Sequence, residues 1–264
     1  MFADNTFSDR FWRWIAQEHL SRRIYLRWLP AIVLALLVTA VFFDAPVSVA
    51  LRNWPAYERA FFTFLTGFGK SDWILIPTLL GMILGFAARY ANLTYSWRWA
   101  ARGVLGVSAY VFTSVALAGL VTVVLKRVIG RARPMYLEQY GTLHIEPFNI
   151  LDWSMHSFPS GHSTTALAFT VVLITLANGR FARTLTAIGL GIGLSRIVVG
   201  DHFLSDVAAG CVVGTLVALL VRDYFATRGW TMRVEGKAVR FRMFAAFLPL
   251  LRWLRRRHVP KLFR

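Results

Sequence analysis

Cysteine, acidic residues and charge in general are scarce in this sequence. The single cysteine, Cys211, excludes a disulfide within the chain. Because it lies inside an apolar run, we interpret it as a small buried hydrophobic residue. Only 16% of the residues are charged, whereas a soluble domain usually has about a quarter. This deficit, together with 56% hydrophobic residues, argues against a soluble protein and indicates a membrane protein.

The shortage of Asp and Glu leaves a formal net charge of +17. Such a charge can indicate nucleic-acid binding, but here the basic residues flank apolar runs and do not form one groove-like patch. Anionic lipid headgroups and membrane orientation explain this placement more simply. We therefore expect the bilayer as a partner and no nucleic acid. The sequence makes no prediction about the oligomeric state.

Six apolar runs predict the fold. Gly103–Leu125 has the ~20 residues that cross a hydrocarbon core, and the other runs are shorter, so they must extend into flanking polar or aromatic positions. These shorter runs are Trp28–Phe43, Trp73–Ala88, Ser163–Ala177, Thr184–Gly200 and Val207–Val221. Aromatic residues at run ends, such as Trp28, Trp73 and Tyr224, are typical of membrane interfaces. We predict an all-α polytopic bundle of six transmembrane helices.

The placement of Lys and Arg predicts the orientation of this bundle. With the N-terminus inside, the inside segments 1–28, 89–102, 178–183 and 222–264 hold 22 of the 30 basic residues. Basic loops stay in the cytoplasm, so both termini are expected there, in a bacterial inner membrane. About 28 mixed residues precede the first run, so it is expected to be a retained span and not a cleaved signal peptide.

The predicted organisation is a cytoplasmic segment 1–28, a six-span catalytic domain 29–221 and a basic tail 222–264. Apolar and basic residues alternate in the tail over 239–244 and 247–257. This pattern is typical of a helix that lies on an anionic inner leaflet. A frayed basic tail fits the same residues equally well.

Three polar segments stand at the ends of apolar runs. Residues 126–134 follow the third run, residues 158–163 precede the fourth, and residues 195–206 join the fifth to the sixth. In the predicted topology all three lie at the outer membrane surface. Ionisable groups near hydrocarbon are costly and by default indicate a functional site, so we expect these segments to converge.

The basic residues of these segments suit a phosphate group. Lys126 and Arg133 share a face if the stretch between them is helical, although Arg133 is pushed toward extended backbone because it precedes Pro134. Arginine offers a planar fork to two phosphate oxygens, and lysine offers a point charge. Ser160 and Gly161 directly precede the fourth span. The free N–H groups of a helix N-terminus form a ready anion site, and Gly161 has no side chain to obstruct the backbone.

His202 and Asp206 are candidates for nucleophilic chemistry. At positions i and i+4 they share one face of a helix, so Asp206 can fix the tautomer of the ring and leave the other nitrogen free to attack phosphorus. His162, from a different segment, is placed to give a proton to the leaving oxygen. Asp201 adjoins His202 but points elsewhere on a helix, so we assign it no role.

These residues also carry a family resemblance. Lys-x6-Arg-Pro, Pro-Ser-Gly-His and Ser-Arg-x5-His-x3-Asp occur in that order with every defining position present. From the third run through the sixth, the chain resembles the type 2 phosphatidic acid phosphatase (PAP2) superfamily. The resemblance implies that His202 forms a phosphohistidine, that Asp206 orients it and that His162 is the general acid. It also implies no metal or other cofactor, and a phosphate site made by Lys126, Arg133, Ser160, Gly161 and Arg196.

Other polar residues near the three segments have structural interpretations. Arg127 and Arg131 are expected to be solvated or to contact lipid headgroups. Asp152 and His156 are expected to stabilise the outer loop.

The predicted function is hydrolysis of a phosphate monoester or diphosphate on a membrane lipid at the outer face. Phosphatidic acid, phosphatidylglycerol phosphate, undecaprenyl diphosphate and the phosphates of lipid A are all candidate substrates. The alternative is a non-enzymatic or transporter membrane protein that binds lipid phosphate. The paired histidines argue against a non-enzymatic protein, and no inverted repeat supports a transporter. Haloperoxidases share the implied anion pocket, but the six apolar runs disfavour a soluble enzyme of that kind.

Overall fold

The computed structural model describes residues 22–52, 54–236, 238–255 and 260–263. The helices of these residues are α1 Arg22–Phe42, α2 Asp44–Arg52, α3 Ala56–Gly67, α4 Asp72–Ala87, α5 Tyr95–Ile129, α6 Leu137–Tyr140, α7 Gly161–Leu176, α8 Ala182–Val199, α9 Leu204–Arg228 and α10 Leu248–Leu254. Short 3-10 helices span Pro134–Tyr136, Trp153–Met155 and Met243–Phe247. Strands β1 Met232–Glu235 and β2 Ala238–Phe241 form an antiparallel hairpin that pairs Met232 with Phe241. Most of the predicted segment 1–28 lies outside the described residues.

Four helical stretches of the described chain are long and apolar enough to cross a membrane. They are Ala56–Ala87, which joins α3 and α4, and helices α5, α8 and α9. Helices α1 and α2, bent by 53°, make a fifth if they count as one span. The chain is therefore a mostly helical integral membrane protein with four to five candidate spans. The fourth predicted run corresponds to α7, which has only 16 residues.

Helix α7 lies in the centre of the bundle and packs against α5, α8 and α9. Two glycines of α9 allow α9 to approach α7 closely. A Cβ atom at Gly214 would lie 2.2 Å from the carbonyl oxygen of Thr164, and one at Gly210 would lie 2.4 Å from that of Ser160. These glycines therefore permit close packing of the two helices.

The segment before Trp73 is helical, which the apolar-run pattern did not predict. Helix α3 contains Glu58 and Arg59, and these charges interrupt the apolar run. Helix α3 packs on α8 while α4 packs on α5, and the break between them brings Gly69 against His162. A Cβ atom at Gly69 would lie 2.8 Å from the Cβ of His162. This break therefore forms one wall beside the polar segments.

The main apolar core lies toward the N-terminal half of α5 and includes the hairpin. Tyr110, Phe225, Met232 and Val239 are buried together there. Residues 238–241 form β2, although part of this stretch was predicted to be an interfacial helix. Apolar and basic residues alternate in this stretch, and such an alternation also fits the two-residue period of a strand. Within the described residues, the part of the predicted tail helix that forms an α-helix is Leu248–Leu254, α10.

Candidate active site

The three polar segments meet at the C-terminal end of α5. The N–H of Ser160 donates to the carbonyl oxygen of Asp206 at 2.9 Å. Nη1 of Arg133 donates to the carbonyl oxygen of Asp201 at 3.4 Å, and Nη1 of Arg131 donates to Oδ1 of Asp206 at 2.6 Å. Each segment thus contacts another, and the predicted convergence is confirmed.

His202 lies in the turn between α8 and α9 and is 2% exposed. Its Nδ1 is 3.7 Å from Oδ2 of Asp206, a distance too long for a hydrogen bond. No other described residue gives this nitrogen a hydrogen bond. Burial lowers the pKa of His202 to about 4, and Asp206 opposes that shift, so the ring is neutral at neutral pH. With Nδ1 toward Asp206, Nε2 is the nitrogen available for attack.

Asp206 is fully buried in the first turn of α9 and is held by several donors. Its Oδ2 accepts from Oγ of Ser157 at 2.5 Å and from the N–H of Phe203 at 2.9 Å. Its Oδ1 accepts from Arg131. Charge-assisted hydrogen bonds of this kind stabilise the carboxylate and fix its position, so the group that faces His202 is rigid before any substrate binds.

The prediction that Arg131 is solvated or contacts lipid headgroups is wrong. Arg131 is 4% exposed, and its guanidinium forms ion pairs with Asp206 at 2.6 Å and with Asp44 at 2.7 Å. It also lies over the ring of Phe203, 4.6 Å from the centroid. Two buried carboxylates can be accommodated here because one cation lies between them.

Asp44, the first residue of α2, is a site residue that the sequence interpretation missed. It is fully buried, and it accepts hydrogen bonds from the N–H and Oγ of Ser205 as well as from Arg131. The signal in the sequence was a carboxylate directly after the first apolar run, where an acidic residue is costly unless it is paired. These hydrogen bonds connect the start of α2 to the start of α9.

Lys126 and Arg133 reach the site from the end of α5, but not from one helical face. Helix α5 ends at Ile129, and Gly130 then adopts φ +63 where a Cβ atom would lie 1.8 Å from the carbonyl oxygen of Glu146. Arg133 has φ −80 and ψ 161, the extended backbone predicted before proline. Its guanidinium lies 4.8 Å from the ring centroid of Trp153, which orients the fork toward the other segments.

Arg196, near the end of α8, completes the set of cations. It is 8% exposed, donates from Nη1 to Oγ1 of Thr66 at 3.0 Å and pairs with Asp201. Its Nε is buried and has no hydrogen-bond partner in the described part of the chain. Asp201, to which we assigned no role, therefore positions a predicted phosphate ligand.

The charges of the site favour an anion. Arg131 lies between Asp44 and Asp206, and these three residues together carry one negative charge. Among the described residues, the side-chain carboxylate that pairs with the other three cations is Asp201, which contacts Arg196, whereas Lys126 donates to the backbone carbonyl of His156 at 3.0 Å. Lys126, Arg133, Arg196 and Asp201 together carry two positive charges, so the site as a whole keeps an excess of one positive charge, which attracts a phosphate group to the region beside His202.

Ser160, Gly161 and His162 begin α7 beside these groups. Ser160 is the N-cap, and its Oγ accepts from Oγ of Ser163 at 2.9 Å. The nearest described atom to a Cβ at Gly161 would belong to Thr122, at 4.0 Å, so the space in front of the Gly161 backbone is open. His162 is half-buried and lies within electrostatic range of Arg196, His202 and Lys126.

Asp152 and His156 stabilise the loop before α7, as predicted. Asp152 accepts from the N–H and Oγ of Ser154 at 2.9 and 2.7 Å. The His156 ring bonds the carbonyl oxygen of Asn149 at 2.7 Å. These hydrogen bonds of both side chains are made to other residues of the same loop.

Several known proteins are similar to this chain. The PAP2 superfamily model matches residues 108–230. A lipid A 1-phosphatase of Rhizobium etli is 34% identical over 83% of this chain and 95% of its own length. A lipid A 1-phosphatase of Rhizobium johnstonii is 34% identical over 83% and 90%. The crystal structure of a transmembrane PAP2 type phosphatidylglycerolphosphate phosphatase from Bacillus subtilis covers 74% of this chain and 94% of that one, with 22% identity and a TM-score of 0.48.

Proposed function

The chain belongs to the PAP2 superfamily and is a membrane phosphatase that hydrolyses lipid phosphate, and from that premise we propose that it removes the 1-phosphate of lipid A through a phosphohistidine at His202. The observation that carries the mechanism is the buried, neutral His202 beside an excess of positive charge from Lys126, Arg133 and Arg196. A neutral imidazole is the nucleophilic form, and the cations draw the phosphate to it.

In the first step, Nε2 of His202 attacks phosphorus while the bond to the lipid oxygen breaks. Asp206, fixed by Arg131, Ser157 and the N–H of Phe203, stabilises the positive charge that develops on the ring. In the complex, the negative charge of the bound phosphate favours the protonated form of His162, and this ring transfers its proton to the departing alkoxide, so the lipid leaves as an alcohol. The phosphoryl group is then bonded to His202.

In the second step, water attacks phosphorus and the bond to Nε2 breaks. The His162 ring, which has just lost its proton, accepts one from that water. Inorganic phosphate is released, and both histidines return to their starting states. The cycle needs no group beyond the side chains named and water.

Positive charge from the protein takes the place that a metal ion has in many phosphatases. The equatorial oxygens of the transition state would be held by Lys126, Arg133 and Arg196, with Ser160 and the N–H of Gly161 at the start of α7. Preorganised donors of this kind stabilise charge in the transition state. We therefore propose metal-independent catalysis.

The substrate assignment is supported by the relatives of this chain. Both lipid A 1-phosphatases align with it over 83% of its length, so the similarity extends through the helices around the site as well as through the three motifs. Phosphatidic acid, phosphatidylglycerol phosphate and undecaprenyl diphosphate present related phosphates and are the competing substrates.

We further propose that the catalytic unit spans residues 29–221 as six transmembrane helices, with α7 as the fourth. The basic segments 89–102 and 178–183 and the tail 222–264 would lie in the cytoplasm. The site, at the other end of α5, would then open to the periplasm, where the outer leaflet of the inner membrane supplies the lipid.

A panel assay with detergent-purified protein tests the function. We expect phosphate release from lipid A bearing a 1-phosphate to exceed release from the three competing lipids, to persist in excess chelator and to be blocked by vanadate. The His202→Ala variant is the control for contaminating phosphatase. Release from a competing lipid alone would overturn the substrate assignment and leave the phosphatase mechanism standing. Activity that Mg²⁺ restores after chelation would contradict metal independence.

A further inference from the structure

A second cluster of cations lines a pocket at the end of the bundle opposite the active site. The pocket lies between α4 and α5, has a volume of about 360 Å³ and is lined by Arg89, Arg98 and Arg102 together with small residues such as Gly85. Along α5, Arg102 is about 36 Å from Lys126 at a rise of 1.5 Å per residue. The pocket is therefore separate from the phosphate site at His202.

The three guanidinium groups of this pocket have few acceptors within the protein. The sequence has no Asp or Glu between Asp72 and Glu138. Over the described ranges, Arg98 and Arg102 form no ion pair and no side-chain hydrogen bond, and Arg89 lies over the ring of Phe86 at 5.2 Å. Cations held this close repel one another, so an anion between them would be stabilised.

Membrane orientation alone does not explain this arrangement. Basic residues that only keep a loop in the cytoplasm act through their charge and need no shared cavity. Here α4 and α5 approach so closely that a Cβ atom at Gly85 would lie 2.8 Å from the Cβ of Leu105. The arginines stand where the two helices open beyond this contact, and the opening forms the pocket.

The surroundings of the pocket suit a lipid better than a free ion. Tyr90 and Tyr95 are 80% and 75% exposed, as expected of aromatic residues at the headgroup level of a membrane. On α4, the apolar side chains of Ile83 and Leu84 are exposed. A phospholipid would place its phosphate among the arginines and its acyl chains along this face.

We propose that this pocket binds the phosphodiester of an anionic glycerophospholipid from the leaflet opposite the one that supplies the substrate. The planar fork of arginine matches two phosphate oxygens, and three arginines provide several such donors. The same chemistry also suits free phosphate, which offers no acyl chains to α4. The bound lipid would hold α4 against α5 at the end remote from the reaction.

Native mass spectrometry of the full-length, detergent-purified protein, titrated with phosphatidylglycerol, tests this proposal. Relative to the wild type, the Arg98→Gln/Arg102→Gln variant should bind phosphatidylglycerol about tenfold or more weakly, because it loses charge-assisted hydrogen bonds. The matched control, Arg180→Gln/Arg228→Gln, removes two exposed arginines from the same end of the bundle and should bind as the wild type does. Arg133→Gln, at the active site, should also retain this lipid.

The outcomes separate the alternatives. Unchanged binding by the pocket variant, or equal losses in the control pair, would overturn the proposal. Displacement of the lipid by equimolar inorganic phosphate would overturn the assignment to a lipid. Hydrolysis of p-nitrophenyl phosphate reports folding and should be unchanged in the pocket variant. If the glutamine pair does not fold, Arg98→Lys/Arg102→Lys keeps both charges and should still weaken binding about threefold, because lysine lacks the fork.

Discussion

At the scale of single residues, the two histidines of the site have different roles in the proposed mechanism. Two substrates with different leaving groups distinguish these roles. A lipid alkoxide is a poor leaving group and needs the proton of His162, whereas nitrophenolate leaves without one. His162→Ala should therefore lose about 10²–10⁴-fold on a lipid monoester and far less on p-nitrophenyl phosphate. His202→Ala should lose both activities equally. Initial rates of phosphate release on both substrates measure this.

The comparison is valid while phosphoryl transfer limits the rate, which burst kinetics can establish. Under that condition, equal losses on both substrates for His162→Ala would mean that His162 binds phosphate and donates no proton.

The buried state of His202 predicts the acid limit of the reaction. In the proposed mechanism its neutral form is the nucleophile, and burial lowers its pKa from 6.5 to about 4. After correction for the ionisation of the substrate, kcat/KM should therefore stay constant as the pH falls past 6.5. It should decline only near pH 4. The pH profile of kcat/KM reports the free enzyme. An acid limb near 6.5 would mean that His202 is solvated or is not the nucleophile.

Two neighbouring arginines of the first motif should differ sharply in their effect on stability. Arg131 is buried between Asp44 and Asp206, so Arg131→Gln leaves two buried carboxylates without a cation and should cost about 3–5 kcal/mol. Arg127 is exposed, and Arg127→Gln should stay within about 0.5 kcal/mol. Unfolding in detergent, followed by intrinsic fluorescence, measures both variants. Similar losses would show that the ion pairs of Arg131 do not stabilise the fold.

At the scale of helices, the contact between α7 and α9 should be sensitive to one methyl group. A Cβ atom at Gly214 would meet the carbonyl oxygen of Thr164, so Gly214→Ala must push the helices apart and should cost about 1–3 kcal/mol. Activity should fall too, because the same contact brings Ser160 to Asp206. At Gly119 on α5, a Cβ atom would have no described atom within 4 Å beyond those of its chain neighbours and its own helix backbone. Gly119→Ala should therefore be neutral or slightly stabilising, and equal thermal shifts in the two variants would contradict the packing argument.

The sequence predicted best what depends on local pattern. The phosphate-site residues and the two histidines stand in spaced motifs at the ends of apolar runs, and the alternation of runs brings those ends together. Arg131 and Asp44 were missed or misassigned because their roles depend on a contact between segments that are distant in sequence. Helix α3 was missed because the prediction searched for uninterrupted apolar runs, and α3 contains charged residues. Such residues are compatible with a helix that packs on α8 beside the site.

At the scale of the whole molecule, the orientation in the membrane can be read by labelling. Gln139, on α6, lies at the active-site end of α5, and Arg228, at the end of α9, lies at the other. In a Cys211→Ser background, Gln139→Cys should react with an impermeant thiol reagent in intact cells, and Arg228→Cys should react only after lysis. Both positions are exposed, so burial does not bias the comparison. The reverse pattern would place the substrate pool in the inner leaflet.

The enclosed position of α7 has a consequence for how the protein is made. Its 16 residues cover about 24 Å, less than the ~30 Å of hydrocarbon, and it carries buried threonines such as Thr164 and Thr170. When such a segment leaves the translocon, it would be only weakly stabilised by lipid alone. We expect it to become stable in the bilayer only after α9 has been synthesised and has packed on it through Gly210 and Gly214. Completion of the bundle would then bring both histidines of the site together in the same event.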